Sequence, residues 1–328
     1  MKKLFIGSDV HQDIEAARVF ADYASAQEAD WMGFLGDLTL RPYTQASLNE
    51  LLKTNKEDPQ GSIQRFISHK RMWNGTFLSA LKGILYAFVA FKEVLDESSV
   101  PYNVIPGNYD GNDELGAMFK SQNLHSRTAT FEKDGPKLFG YGGADANPWH
   151  INLLYKIGEI LPFEHDDLLL ELNENKPDIC MIHNPPKNHC DDLYDGRHVG
   201  TWASSLYIRQ HSPKLVMSGH IHGAGPQTPD EKKGNPNGVS GVDVFDHPKT
   251  GKRTVIINPG NLGRFETHPE QWNLGITQKH RYGTFARVDI EDDGTPIRLF
   301  QYTIRPKGKE GLGNIGPVKE LAQYNLQV

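Results

Sequence analysis

Cysteine is almost absent from this chain: only Cys180 and Cys190 occur among 328 residues. Two are too few for a disulfide framework, and nothing around them has the spacing of a thiolate zinc site. Both are expected as free thiols in a reducing compartment. Long hydrophobic runs are missing too. No stretch approaches the roughly 20 apolar residues of a membrane span, and the apolar run after Lys2 and Lys3 meets Asp9 too soon for a signal-peptide core. The expectation is a cytoplasmic protein with no membrane partner. Positive charge is not in excess: the formal net charge is -6 and the sequence pI is near 6.2, which gives no global pull towards nucleic acid. No glycine loop has the P-loop or dinucleotide-binding spacing, so NTPase and Rossmann readings are set aside.

What the chain has instead is turn chemistry. Its 32 glycines and 20 prolines, with 38% hydrophobic and 23% charged residues, describe a loop-rich globular protein. Residues 3–8, KLFIGS, read as a buried strand that delivers Asp9 and His11 into the next loop. Helical spacing of Ile14, Ala17, Val19, Phe20 and Tyr23 follows, and WMGFLGD then reads as a second buried strand ending at Asp37. VPYNVIPGNYD, KLFGYGGA, DICMIHNPP, KLVMSGHIHG and TVIINPGNLG repeat the design, each an apolar strand emptying into a loop of Gly, Pro, Asn or His. In open α/β sheets, ligands gather at such strand exits.

The exits carry Asp9-Val10-His11, Gly36-Asp37, Gly107-Asn108-Tyr109-Asp110, His183 and Gly219-His220-Ile221-His222-Gly223. Singly these are weak signals, and even the two histidines of the last are as compatible with a structural pair as with metal binding. Jointly they describe a binuclear centre. Two divalent ions about 3.5–4 Å apart need a shared anionic ligand, terminal nitrogen and oxygen ligands, and open positions. Asp37 suits the bridge. Mixed His, Asp and Asn donors without thiolate favour Mn, Fe, Zn or Mg, with Mn first among them.

In this order the set resembles the calcineurin-like metallophosphoesterase superfamily, whose pattern D-x-H, G-D, G-N-H-[D/E], H, G-H-x-H is matched from Asp9 to His222. The resemblance implies a four-layer α/β/β/α sandwich of two mixed sheets flanked by helices. It also implies that Asp9, His11 and His222 hold one metal, that Asn108, His183 and His220 hold the other, and that Asp37 bridges them. A bridging hydroxide would attack phosphorus in line on a small phosphomonoester or phosphodiester, nucleotides included.

One position departs from the pattern. Where the family has His after the Asn, this chain has Tyr109, followed by Asp110. A tyrosine phenol ordinarily titrates near about 10 and is a poorer proton donor than imidazolium. Tyr109 and Asp110 are therefore the catalytic candidates, and poor leaving groups should suffer most. Arg41, His150 and His189 are secondary candidates for substrate contact or proton donation. The alternative is a binding or scaffold protein that keeps the fold with little turnover. The domain is expected over 1–306, with a helical elaboration at about 39–100 as a lid, a crossover or a homo-oligomer face, and residues 307–328 as a C-terminal extension.

Overall fold

A computed structural model describes residues 1–39, 76–145, 161, 163–193, 196–226, 228, 241–267, 278–306 and 315–326. Arg41, His150 and most of the expected elaboration lie outside the described residues.

The described residues form two six-stranded sheets. In the first, β1 (Lys2–Gly7), β2 (Trp31–Phe34) and β3 (Tyr102–Val104) are mutually parallel, and β12 (Gly283–Ile290), β13 (Pro296–Pro306) and β14 (Ile315–Asn325) are antiparallel beyond them. The order is β14-β13-β12-β1-β2-β3. The centre of the second, β5 (Lys137–Tyr141), β6 (Ile179–Ile182), β7 (Leu215–Met217) and β9 (Arg253–Ile257), is parallel, and its edges, β4 (Arg127–Thr130) and β8 (Val242–Asp246), are antiparallel. Here the order is β4-β5-β6-β7-β9-β8. Both sheets are mixed, as expected.

Strand periodicity sends successive side chains to opposite faces, and the burial of each residue shows where they go. Leu4 and Ile6 pack with Ile179, Met181, Leu215, Met217, Val255 and Ile257 in the core between the sheets. Phe5, between them in sequence, turns the other way to meet Phe20, Phe34, Phe91 and Phe285. That outer core is closed by α1 (Ile14–Ala26), α2 (Thr76–Glu97) and α3 (Asn112–Phe119). Cys180, Ile182, Val216 and Ile256 face outward on the second sheet, beneath α4 (His165–Asn175) and α5 (Trp202–His211). The layers run helix, sheet, sheet, helix. Burial of both faces explains why the parallel strands read as continuous apolar runs.

Within the 39–100 segment, α2 is a crossover between β2 and β3. Phe88, Phe91, Val94 and Leu95 seat it on the first sheet, while Leu85, Tyr86 and Val89 face outward and exposed. Within the C-terminal extension, residues 315–325 form an edge strand, paired with β13 from Arg298↔Asn325 to Pro306↔Ile315. Leu326 then enters the core between the sheets. An edge strand half in solvent is held by backbone hydrogen bonds, so its side chains carry little apolar alternation to read.

Candidate metal centre

Five strand exits converge at one end of the sandwich. Asp9 and His11 follow β1, Asp37 follows β2 and Asn108 follows β3, all from the first sheet; His183 follows β6 and His220 and His222 follow β7, from the second. Their donor atoms fall into two groups, Asp9 with His11 and His222, and Asp37 with His183 and His220. Each group therefore draws on both sheets.

The loops are laced together before any side chain acts. The amides of Asp9, His11 and Gln12 bond the carbonyls of Gly36, Asp37 and Leu38 at 2.9, 3.0 and 2.9 Å, and the Gly219 amide bonds the His183 carbonyl at 3.1 Å. Close approach is bought with glycine at two points: a Cβ on Gly107 would lie 2.0 Å from the Asp37 carboxylate, and one on Gly219 would lie 1.8 Å from the Ser8 hydroxyl. Strain is concentrated here as well. Asp9, His11, Asp37 and His220 have φ of 53, 48, 50 and 64°, a left-handed conformation that L residues adopt at a cost of about 1–3 kcal/mol each.

In the first group, Asp9 Oδ1 is 3.1 Å from His222 Nε2 and 3.8 Å from His11 Nε2. The two imidazole Nε2 atoms are 3.1 Å apart. Nδ1 of His11 donates to the Thr39 carbonyl at 3.2 Å, which leaves Nε2 as the atom with the lone pair. Asp9 Oδ2 accepts from the Ser8 hydroxyl at 2.5 Å and from the His220 amide at 3.0 Å, so Oδ1 faces the group. In the second group, Nδ1 of His183 bonds the Leu35 carbonyl. Its Nε2 lies 3.3 Å from Asn108 Oδ1 and 3.6 Å from Asp37 Oδ2, which brings Asn108 to the same point. Asp37 Oδ1 accepts from the Tyr109 amide at 3.1 Å.

Donor atoms spaced in this way fit a cation. Around an ion with bonds of about 2.1 Å, adjacent ligands lie roughly 3.0 to 3.4 Å apart in octahedral or tetrahedral geometry. The electrostatics agree. Burial opposes a charge on His183, but Asp37 beside it, with Asp9, lifts its pKa to about 9; a metal ion would take that proton's place. Burial, then the neighbouring histidine, pushes His11 and His220 down to about 4, keeping both rings neutral and ready to ligate. Burial works against ionising Asp9 and Asp37 too, but His222 and His183 respectively hold the two carboxyls below their ordinary range.

Asp110 takes a different place from the one expected of a catalytic group. Its Oδ1 accepts from the Thr39 amide and hydroxyl at 3.0 and 2.9 Å, and its Oδ2 from the Leu38 and Gly107 amides at 3.0 and 2.9 Å. It ties the Asp37 loop to the Asn108 loop. Burial, then the charge of Asp37, raises its pKa to about 6. His189 is engaged by Asp243 on β8 at 2.7 Å.

Several participants carried no signal in the sequence. Asn258, after β9, donates to the Gly219 and Ile221 carbonyls at 3.2 and 3.1 Å and so braces the His220 loop. Phe265, from β10 (Phe265–Thr267), meets the His11 ring at 4.4 Å, and His280, from β11 (Gln278–His280), stacks on Phe265 at 4.5 Å and stands edge-on to His222 at 5.5 Å. Asn184, next to His183, is buried with no hydrogen-bond partner for its side-chain amide among the described residues, and no such pattern is readable from one Asn before two prolines.

Residues 2–224 match the model of a family described as calcineurin-like phosphoesterase. No curated protein matches the chain by sequence. One solved structure superposes with a TM-score of 0.55 at 14% identity, over 81% of this chain and 93% of its own. The structure of TT1561 of Thermus thermophilus gives 0.49 at 15% identity over 81% and 92%. A dimetal phosphatase from Danio rerio gives 0.48 at 11% over 92% and 95%. At 14% identity the likeness to the first of these is one of fold alone.

Proposed function

Because the chain belongs to the calcineurin-like phosphoesterase family, we propose that it is a binuclear metal-dependent hydrolase of small phosphomonoesters or phosphodiesters, nucleotides included. One observation carries the reading: two largely buried Asp-His-His groups, each assembled from both sheets and each with donor atoms within 4.8 Å of one another. Asp9, His11 and His222 would hold one divalent ion, Asn108, His183 and His220 the other, and Asp37 both. Mn is the first choice among Mn, Fe, Zn and Mg for these donors.

Two such ions, when bound, supply an activated water and polarise the phosphoryl oxygens. The chain's own residues fix the rest. The Thr39 and Leu35 carbonyls orient the rings of His11 and His183. Asp110 holds the Asp37 and Asn108 loops at a constant separation. Tyr109 follows Asn108 and is partly exposed, so its phenol is the group we assign to leaving-group contact.

The test is elemental analysis of the purified protein, with hydrolysis of p-nitrophenyl phosphate and bis-p-nitrophenyl phosphate in Mn²⁺ and in chelator. Near two metals per chain with chelator-sensitive turnover is the expected result, and the preferred ester sets monoester against diester. Two metals without turnover would favour a scaffold role, which Tyr109 in the histidine position keeps open. No metal affinity would overturn the proposal.

A further inference from the structure

A wall of rings stands against the first ligand group, and it comes from outside the strand exits. Phe265 on β10 meets the His11 ring at 4.4 Å and 66°, and the His222 ring at 5.3 Å and 75°. Directly opposite Phe265 in the register of the hairpin is His280 on β11. Such cross-strand pairs bring side chains into contact, and here His280 stacks on Phe265 at 4.5 Å and 25°. It also stands edge-on to His222 at 5.5 Å and 84°. With His11 itself at 5.1 Å and 70°, the His222 imidazole is met by three rings. Phe265 and His280 are both buried.

The wall is strapped to the loop that carries Asp9 and His11. The Leu262 amide bonds the Ser8 carbonyl at 2.7 Å and the Gly263 amide the Asp9 carbonyl at 3.1 Å; a Cβ on Gly263 would lie 1.8 Å from the Val10 carbonyl oxygen. Arg264, buried, follows. Its amide and Nε each donate to Asp13 Oδ2 at 2.8 Å, and a terminal nitrogen donates to Asp13 Oδ1 at 3.2 Å and to Glu15 Oε2 at 3.0 Å. Asp13 in turn caps α1, accepting from the Ala16 amide at 3.1 Å. Phe265 is thus set down at a fixed place against the ligand loop. The second group is held by other means. His183 has the Leu35 carbonyl on Nδ1, and the rings of His183 and His220 meet each other at 5.2 Å but, among the described residues, no ring from outside the two groups.

We propose that Phe265, backed by His280, is a positioning residue for one metal of the pair: it holds the imidazoles of His11 and His222 in the orientation that ligates, and has no such part at the second group. The inference rests on the binuclear reading and deepens it, since it gives retention of one of the two ions to a hairpin that lies outside the ligand loops. The basis is steric. An imidazole serves a metal only while its lone pair is aimed at the ion, and packing that locks its rotamer preserves that aim. Leucine in place of Phe265 is smaller and of another shape, and in a close-packed interior it leaves the two rings room to turn.

The experiment is calorimetric titration of the metal-free full chain with Mn²⁺. Phe265→Leu is expected to weaken one of the two ions about tenfold or more, the lower end of what the outer partners of metal ligands contribute, and to leave the other at its native affinity. The weakened ion should be the one that His222→Ala loses. Phe265→Tyr, which keeps the ring, should stay near the native value, and His280→Leu, which removes only the backing ring, should weaken the same ion by a smaller factor. Native affinity for both ions in Phe265→Leu, equal weakening of both, or a Phe265→Tyr as weak as Phe265→Leu would overturn the proposal and leave the binuclear centre standing. If Phe265→Leu does not fold, His280→Leu decides by the same comparison of the two ions. A native chain without affinity for Mn²⁺ would overturn the binuclear reading and the proposal with it.

Discussion

Asp110 Oδ1 accepts from both the amide and the hydroxyl of Thr39, at 3.0 and 2.9 Å. With Oδ2 taken by two further amides, a buried carboxylate is satisfied by four donors and no cation. Asp110→Asn puts an NH2 where amides must be accepted. We expect a loss of about 2–4 kcal/mol in unfolding free energy, together with weaker metal retention, measured by denaturant titration and elemental analysis. A variant of native stability that had lost only catalytic rate would place Asp110 in the chemistry instead.

Asp37→Ala or His220→Ala should abolish metal binding at the second group and lower phosphoester turnover by more than about 100-fold, since even the outer partners of metal ligands are worth about 10- to 100-fold. Metal titration of the two variants beside the native chain reads this directly. Full metal content and turnover in both would sink the site assignment.

Tyr109→His should raise hydrolysis of alkyl esters on the order of tenfold or more, and that of aryl esters less. Aryl leaving groups depart without a proton, whereas alkoxides gain from an imidazolium donor. Parallel rate profiles on p-nitrophenyl and alkyl esters separate the cases. An equal change on both counts against a leaving-group role at this position.

His125 gives a prediction about stability alone. Burial, and then the charge of Arg127, lowers its pKa from 6.5 to about 4, and its Nδ1 accepts from the Gly142 amide at 2.9 Å. Above pH 6.5 the ring is neutral folded and unfolded, and contributes no slope. As pH falls towards 4 the unfolded chain takes up a proton that the folded chain refuses, so stability is lost, by about 3 kcal/mol across that window. In metal-free protein, His125→Gln should shallow the decline of the urea midpoint between pH 6.5 and 4. An identical decline in the variant would show that His125 titrates normally.

The two candidate ligand groups were legible because each residue sits where an apolar strand meets a small-residue loop, and strand exits on parallel sheets share one end. Asp9, Asp37, Asn108, His183 and His220 could be placed near one another without knowing the order of strands. The direction of a side chain could not. Asp110 follows Tyr109 in a loop rich in site residues, yet its carboxylate turns back to Leu38 and Thr39, 72 and 71 residues away in sequence. His280 and Phe265 were invisible for another reason. They lie in segments without apolar period and meet the site only through the packing of the finished fold. The strand at Ile315–Asn325 escaped because its partner, β13, supplies its stability through the backbone.

Each candidate ligand group reaches across the interface between the two sheets, taking Asp9, His11 and Asp37 from one side and His183, His220 and His222 from the other. An ion in either group would be a clasp on the open end of the sandwich, added to the loop hydrogen bonds that already join the two layers there, such as that of the Gly263 amide to the Asp9 carbonyl at 3.1 Å. Retention of metal and cohesion of the two halves become one property, so an empty centre and a filled one should part company on heating well before any substrate is offered.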